Sequence, residues 1–165
     1  KMTCGHPTKS GTPCKKQVAI GIKKCHLHRH VQIKKSLIKE AGKGVFAKKD
    51  YAIGDRIGYY RGEVVSNRAH SKRYGGDRKD HAPYSLQGSK TKVVDSACSR
   101  GVMSMANGTR RKRDANAEFR GRMQSKTTGK IPVVAIKPIS KGEEIRVHYG
   151  RTYFNSSENA YHYTR

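Results

Sequence analysis

Apolar residues in this chain occur in short runs broken by Gly, Asp, Lys or Ser, and no stretch keeps the 3.6-residue recurrence of a long amphipathic helix. Runs of this kind read as β-strands. They lie at Gly44 to Ala47, Arg56 to Tyr60, Val93 to Asp95, Ile131 to Ile136 and Ile145 to Tyr149. Only Val102 to Asn107 has helical character, and it is short. Two polar, basic stretches, Asn67 to Asp80 and Asn107 to Asp114, read as loops. No internal repeat or heptad is present. The pattern predicts a mostly β fold without the long helices that a doubly wound nucleotide-binding fold needs.

Composition narrows the class. The chain has 165 residues, enough for one main domain and a small appendage, and its hydrophobic fraction of 34% calls for a compact core. Thirty-six Lys and Arg against 12 Asp and Glu give a net charge of +24. Such a surface favours DNA, RNA or a nucleosome as partner over a small neutral ligand, although a basic surface also serves solubility alone. The run Arg110-Arg111-Lys112-Arg113 reads as a solvated loop, a nuclear-import signal or a phosphate-binding patch. No apolar run approaches the ~20 residues of a membrane span. The basic start has no apolar signal region behind it, and no basic amphipathic helix is evident for docking on lipid. The expectation is a soluble, intracellular protein with no membrane partner, placed in the nucleus or on chromatin (host nucleus or virion, if viral).

The first 39 residues hold ten Lys or Arg and no acid, together with three of the four Cys. Cys4, Cys14, Cys25 and His28 form the pattern Cys-x9-Cys-x10-Cys-x2-His. In a reducing compartment such a cluster favours metal over disulfides, and a closed structural Zn²⁺ site takes four N or S ligands in a tetrahedron. Lys9 to Thr12 supplies a turn between the first two Cys. His6 and His30 compete for the fourth position. The segment resembles short Cys3His zinc modules, and it is too small to bury a core without metal. Cys98 reads as a small core residue.

Four segments carry the remaining chemistry. Ala41-Gly42-Lys43-Gly44-Val45-Phe46-Ala47 is a glycine turn entering a strand; alone it is most often an ordinary hairpin, and it lacks the third glycine of a dinucleotide site. Tyr59-Tyr60-Arg61-Gly62-Glu63 places a tyrosine at a strand end. Met103-Ser104-Met105-Ala106-Asn107-Gly108 is followed by the basic insertion and by Ala115-Asn116-Ala117. Ile139 to Gly150 contains Gly142-Glu143-Glu144-Ile145-Arg146-Val147-His148-Tyr149-Gly150. In this order the four resemble the SET domain of protein-lysine methyltransferases. Gly108 stands where that family has His, His148 replaces a common Asp, and Asn107-Gly108 is also a strong turn dipeptide.

The resemblance implies small β-sheets around a knot-like core, with residues 1–30 as the zinc module, 31–154 as the SET methyltransferase domain and 155–165 as a tail. It implies S-adenosylmethionine as cofactor, bound by Gly42, Lys43, Gly44, Ala106, Asn107 and Tyr149, the contact near Asn107 being partly through backbone. It makes Tyr149 and Tyr60 the catalytic residues, with Phe119, Val147 and Tyr153 along the substrate-lysine channel. Phe119 and Val147 carry no hydroxyl, which implies addition of more than one methyl. Residues 154–165 lack the Cys-rich closing segment of many relatives, leaving Tyr153, Tyr161, Tyr163 or a second subunit (a homodimer) to cover the channel. A chain at +24 repels free cationic tails, so the implied substrate is a histone in a nucleosome, or another nucleic-acid-bound basic protein. The rival reading is a non-catalytic nucleic-acid-binding or chromatin-binding module with a degenerate body.

Overall fold

The structure is a computed structural model and describes residues 2–18, 24, 29–75, 84–98, 100–120 and 129–149. Its elements are β1 (Met2–Thr3), β2 (Gln17–Val18), β3 (Val31–Lys35), β4 (Lys43–Ala47), β5 (Arg56–Arg61), β6 (Glu63–Ser66), α1 (Asn67–Tyr74), β7 (Ser85–Gln87), β8 (Lys92–Asp95), β9 (Asn107–Gly108), β10 (Ala117–Phe119), β11 (Lys130–Ala135) and β12 (Glu144–Val147). The mostly β expectation holds, and each of the five runs read as strands overlaps a strand, although β11 stops at Ala135 and β12 at Val147.

A seven-stranded sheet runs β3-β4-β12-β10-β11-β5, with β9 also paired to β12. β12 is antiparallel to β4 but parallel to both β9 and β10. It is thus the meeting line of three segments distant in sequence. Strands on this line are buried on both faces, which is why Val45, Phe46 and Ala47 form an unbroken apolar run instead of alternating. The main core gathers Val45, Ile131, Val133, Ile139, Ile145 and Val147, all 1% exposed or less. A second sheet, β6-β8-β7, lies apart from this path, and β1-β2 encloses a small cluster of Cys4, Cys14 and Val18.

Several expectations need correction. Residues 67–74, read as loop, form α1. Ser66 Oγ accepts from Ala69 N at 3.1 Å and caps its start, while Gly75, at φ 80°, ends it. No residue of α1 is buried, so no apolar period marks it in the sequence. What holds it is polar: Asp95, 2% exposed, accepts from Arg73 Nη1 at 2.7 Å, Tyr74 Oη at 2.8 Å and Ala97 N at 2.9 Å. Val102 to Asn107 is a 3₁₀ helix only over Val102–Met105, and Asn107 belongs to β9. The basic stretch from Asn107 contains β9 and a 3₁₀ turn at Lys112–Asp114. Cys98 is exposed and is not a core residue.

Burial pushes the Asp95 carboxyl up, but donation from Ala97, Tyr74 and Arg73 outweighs it and leaves its pKa below the ordinary value. A lowered folded-state pKa stabilises at neutral pH, and the contribution is lost as pH falls through it. Asp95→Asn should cost about 1–3 kcal/mol in urea unfolding at neutral pH, and the gap to the parent protein should narrow in acid.

Candidate active site

Three aromatic side chains, two on strands and one just beyond a third, meet at one end of the main sheet. Tyr60 of β5 and Phe119 of β10 make an edge-to-face pair with centroids 5.5 Å apart, and Phe119 stacks on Tyr149 at 6.1 Å with 14° between planes. Tyr149 lies two residues past the end of β12, which pairs with β10, and β10 and β5 both pair with β11, so sheet register brings the three together. Tyr60 Oη donates to the Tyr84 carbonyl and Tyr149 Oη to the Ala106 carbonyl. Each phenol has one proton to give, and each gives it to backbone. A hydroxyl that gives its proton to backbone keeps acceptor capacity only. Val147 is fully buried in the core against which Phe119 and Tyr149 pack. Tyr153 lies outside the described residues.

The glycine turn lies across β12. Its two glycines differ. Gly42 is exposed at φ 66° with open space where a Cβ would stand, so its backbone is approachable. Gly44 is buried, and a Cβ there would come 2.1 Å from Glu144 Oε1. Glu144, 2% exposed, accepts from Ser36 Oγ at 2.7 Å, Leu37 N at 2.9 Å and Asn107 Nδ2 at 3.0 Å. Asn107 Nδ2 also reaches the Lys43 carbonyl at 3.2 Å and Ser36 Oγ at 3.0 Å. The Asn107 side chain thus ties β9 to the glycine turn, and backbone is what this segment offers a ligand. Ala106 is buried, with its carbonyl held by Tyr149.

Asn116, the later asparagine of the motif, does similar work. Its Nδ2 donates to the Glu144 carbonyl at 2.9 Å and to Glu143 Oε1 at 3.0 Å, and its Oδ1 accepts from Arg146 N at 2.8 Å. Ser36 and the hub role of Glu144 were not legible beforehand. The doubled Glu of the motif was the available signal, but which one turns inward depends on the strand's facing.

Of the four expected zinc ligands, Cys4 and Cys14 are buried side by side in the N-terminal cluster. Cys4 N donates to Lys16 O, and Cys14 N to His6 O, both at 2.9 Å, so the hairpin aligns the first pair. Cys25 and His28 lie outside the described residues. Among the described residues no group of three potential ligands converges, and no helix is long and apolar enough to cross a membrane.

The chain belongs to the SET-domain family, whose model matches residues 42–150. Its fold is similar to the Chaetomium thermophilum polycomb repressive complex 2, at TM-score 0.64 and 27% identity, over 77% of this chain and 16% of that chain. It is also similar to ctPRC2 in an autoinhibited conformation bound to S-adenosylmethionine, at TM-score 0.63 and 25% identity, over 81% and 16%. This chain therefore spans about a sixth of those chains' length. Comparison with curated proteins gives no match.

Because Gly44 presses on the Glu144 hub and Gly42 faces open space, their alanine variants should separate. Gly44→Ala should destabilise by about 1–3 kcal/mol through overpacking at a buried carboxylate. Gly42→Ala should cost about 1–2 kcal/mol from left-handed backbone alone and leave the hub intact. Urea unfolding, with methyl NMR of the core, checks both.

Proposed function

We propose that this protein is an S-adenosylmethionine-dependent protein-lysine N-methyltransferase acting on a histone or another basic protein held on nucleic acid. The observation that carries the reading is the convergence of Tyr60, Phe119 and Tyr149, with both hydroxyl protons committed to backbone carbonyls. When bound, the cofactor supplies an electrophilic methyl group on a cationic sulfur.

A lysine amine must be neutral to attack, and its ordinary pKa is about 10.4. An apolar wall such as Phe119 disfavours the ammonium by desolvation. The ammonium gives its proton to solvent before attack, and the two phenolic oxygens then accept from the amine's N–H groups and aim its lone pair. No carboxylate is needed at the trio. Backbone of Gly42, Lys43 and Gly44, and of Ala106 and Asn107, would hold the cofactor, together with Tyr149. The approachable Gly42 backbone suits this role. Gly108 supplies backbone alone where relatives carry an imidazole, which favours a second reading, a non-catalytic chromatin-binding module. Phe119 and Val147 carry no hydroxyl to hold a water against the amine, which favours more than one methyl, and Tyr153 is assigned to the channel mouth. The expected setting is chromatin, with nucleic acid as counter-charge to a +24 surface.

Label from methyl-tritiated cofactor should pass to nucleosomes in preference to free histones, and Tyr149→Phe should reduce transfer at least about 100-fold while cofactor binding persists. Absence of both transfer and cofactor binding would leave the non-catalytic reading standing.

We assign Zn²⁺ to Cys4, Cys14, Cys25 and His28, with Cys4 and Cys14 presented by the N-terminal hairpin. The donor set suits a closed tetrahedral site. Cys14→Ser should lower bound zinc below one equivalent by mass spectrometry under native conditions, and should expose the hairpin amides to hydrogen exchange. Full zinc occupancy in the variant would remove Cys14 from the ligand set.

A further inference from the structure

Where the N-terminal segment, β5 and the 3₁₀ helix of residues 102–105 adjoin, a cavity of about 290 Å³ opens to the surface. Lys24, Arg29, His30 and Arg61 line it, and among the described residues no acidic one does. Its remaining wall is apolar, from residues including Ile57 and Val102, with the Tyr59 ring alongside. Arg29 Nε donates to the Lys24 carbonyl at 3.2 Å, which steadies its guanidinium, and Lys24 Nζ sits 3.5 Å from His30 Nε2. The guanidiniums of Arg56 and Arg61 lie 5.1 and 5.8 Å from the Tyr59 ring centre, so the ring and the cations form one surface.

We propose that this cavity seats one unpaired nucleotide of a single-stranded nucleic acid, its phosphate against Lys24, Arg29 and Arg61 and its base on Ile57, Val102 and Tyr59. Phosphate on cations beside a base on an aromatic and apolar floor is how proteins take single strands. A duplex presents phosphate on a convex rod and has no base to place in a concave apolar wall, so a flat basic surface would suit it better. Acidic peptide carboxylates would satisfy the cations but leave the apolar wall unused. Successive residues of a strand point to opposite faces, so Tyr59 of the cavity and Tyr60 of the aromatic trio stand back to back on β5. Nucleic acid bound on one side of β5 then lies one strand's thickness from the site assigned to the lysine. The inference deepens the nucleic-acid half of the reading above, and its test is independent of methyl transfer.

The test is anisotropy of a labelled oligothymidylate of about twelve residues with the full chain. Arg29→Ala should weaken binding about tenfold and reduce the salt slope by about one. Tyr59→Leu should weaken the single strand about tenfold but a duplex of the same length by less than about twofold. Lys112→Ala and Arg113→Ala, on the exposed basic loop, remove the same charge elsewhere and should each cost less than Arg29→Ala. In the unmutated protein, a bromouracil-substituted strand should photocrosslink to peptides containing residues 56–61 or 101–103. Equal losses from cavity and loop variants, crosslinks confined to residues 110–113, or tighter binding of polyglutamate than of the oligonucleotide would each overturn the assignment while leaving a nucleic-acid partner in place. No binding to any nucleic acid would overturn both.

Discussion

The carboxylate of Glu144 is the constraint on which the site depends. Burying an unpaired carboxylate is prohibitively costly, so the strand that carries it is stable only where donors are supplied. Ser36, Leu37 N and Asn107 supply them, from positions 108, 107 and 37 residues away along the chain. Satisfying this one group therefore specifies where the segment ahead of the glycine turn, the turn itself and β9 must stand relative to β12. Gly44 is the complement of this arrangement, because any side chain there would occupy the carboxylate's place. Hydrogen bonds to a buried charge are the stronger class, which suits them to holding segments that share few apolar contacts.

β12 extends the same logic by backbone. Its pairing is parallel to β9 and β10 and antiparallel to β4. Parallel neighbours cannot be joined by a tight turn, so these partners must arrive from far away in sequence. Asn116, just ahead of β10, completes the junction, its amide bonding to the Glu144 carbonyl and the Arg146 N–H as a strand's backbone would. The result is a short strand whose exit places Tyr149 against Phe119 and under the Ala106 carbonyl.

What could be read from the residues follows from these causes. Strands were legible because burial at the sheet centre leaves apolar runs, and the order of four motifs carried the family. Helix α1 was not, since its stability lies in Ser66, Gly75 and the Asp95 cluster, not in an apolar face. The aromatic residues were nominated by resemblance, but their mutual geometry depends on β10, β11 and β5 register, which no spacing reveals. Asn107 was expected beside a cofactor. Its side chain also braces the turn at Lys43 and the Glu144 hub, a role that requires knowing which residues lie across β12. Cys98 shows the opposite failure: a residue type that is usually buried sits exposed three residues past the end of β8.

The two tyrosines show how the frame sets chemistry. A phenol left to itself can donate to an amine, and that would compete for the lone pair an attacking nitrogen needs. Here Tyr84 and Ala106 take both protons through backbone carbonyls, and each carbonyl is placed by the fold and not by a rotatable side chain. The Ala106 carbonyl directly precedes Asn107, whose amide is pinned to Glu144. The buried carboxylate and the hydroxyl that would orient a lysine are therefore linked through one residue of β9, so the polarity of the aromatic site rests on the same hub that positions the glycine turn.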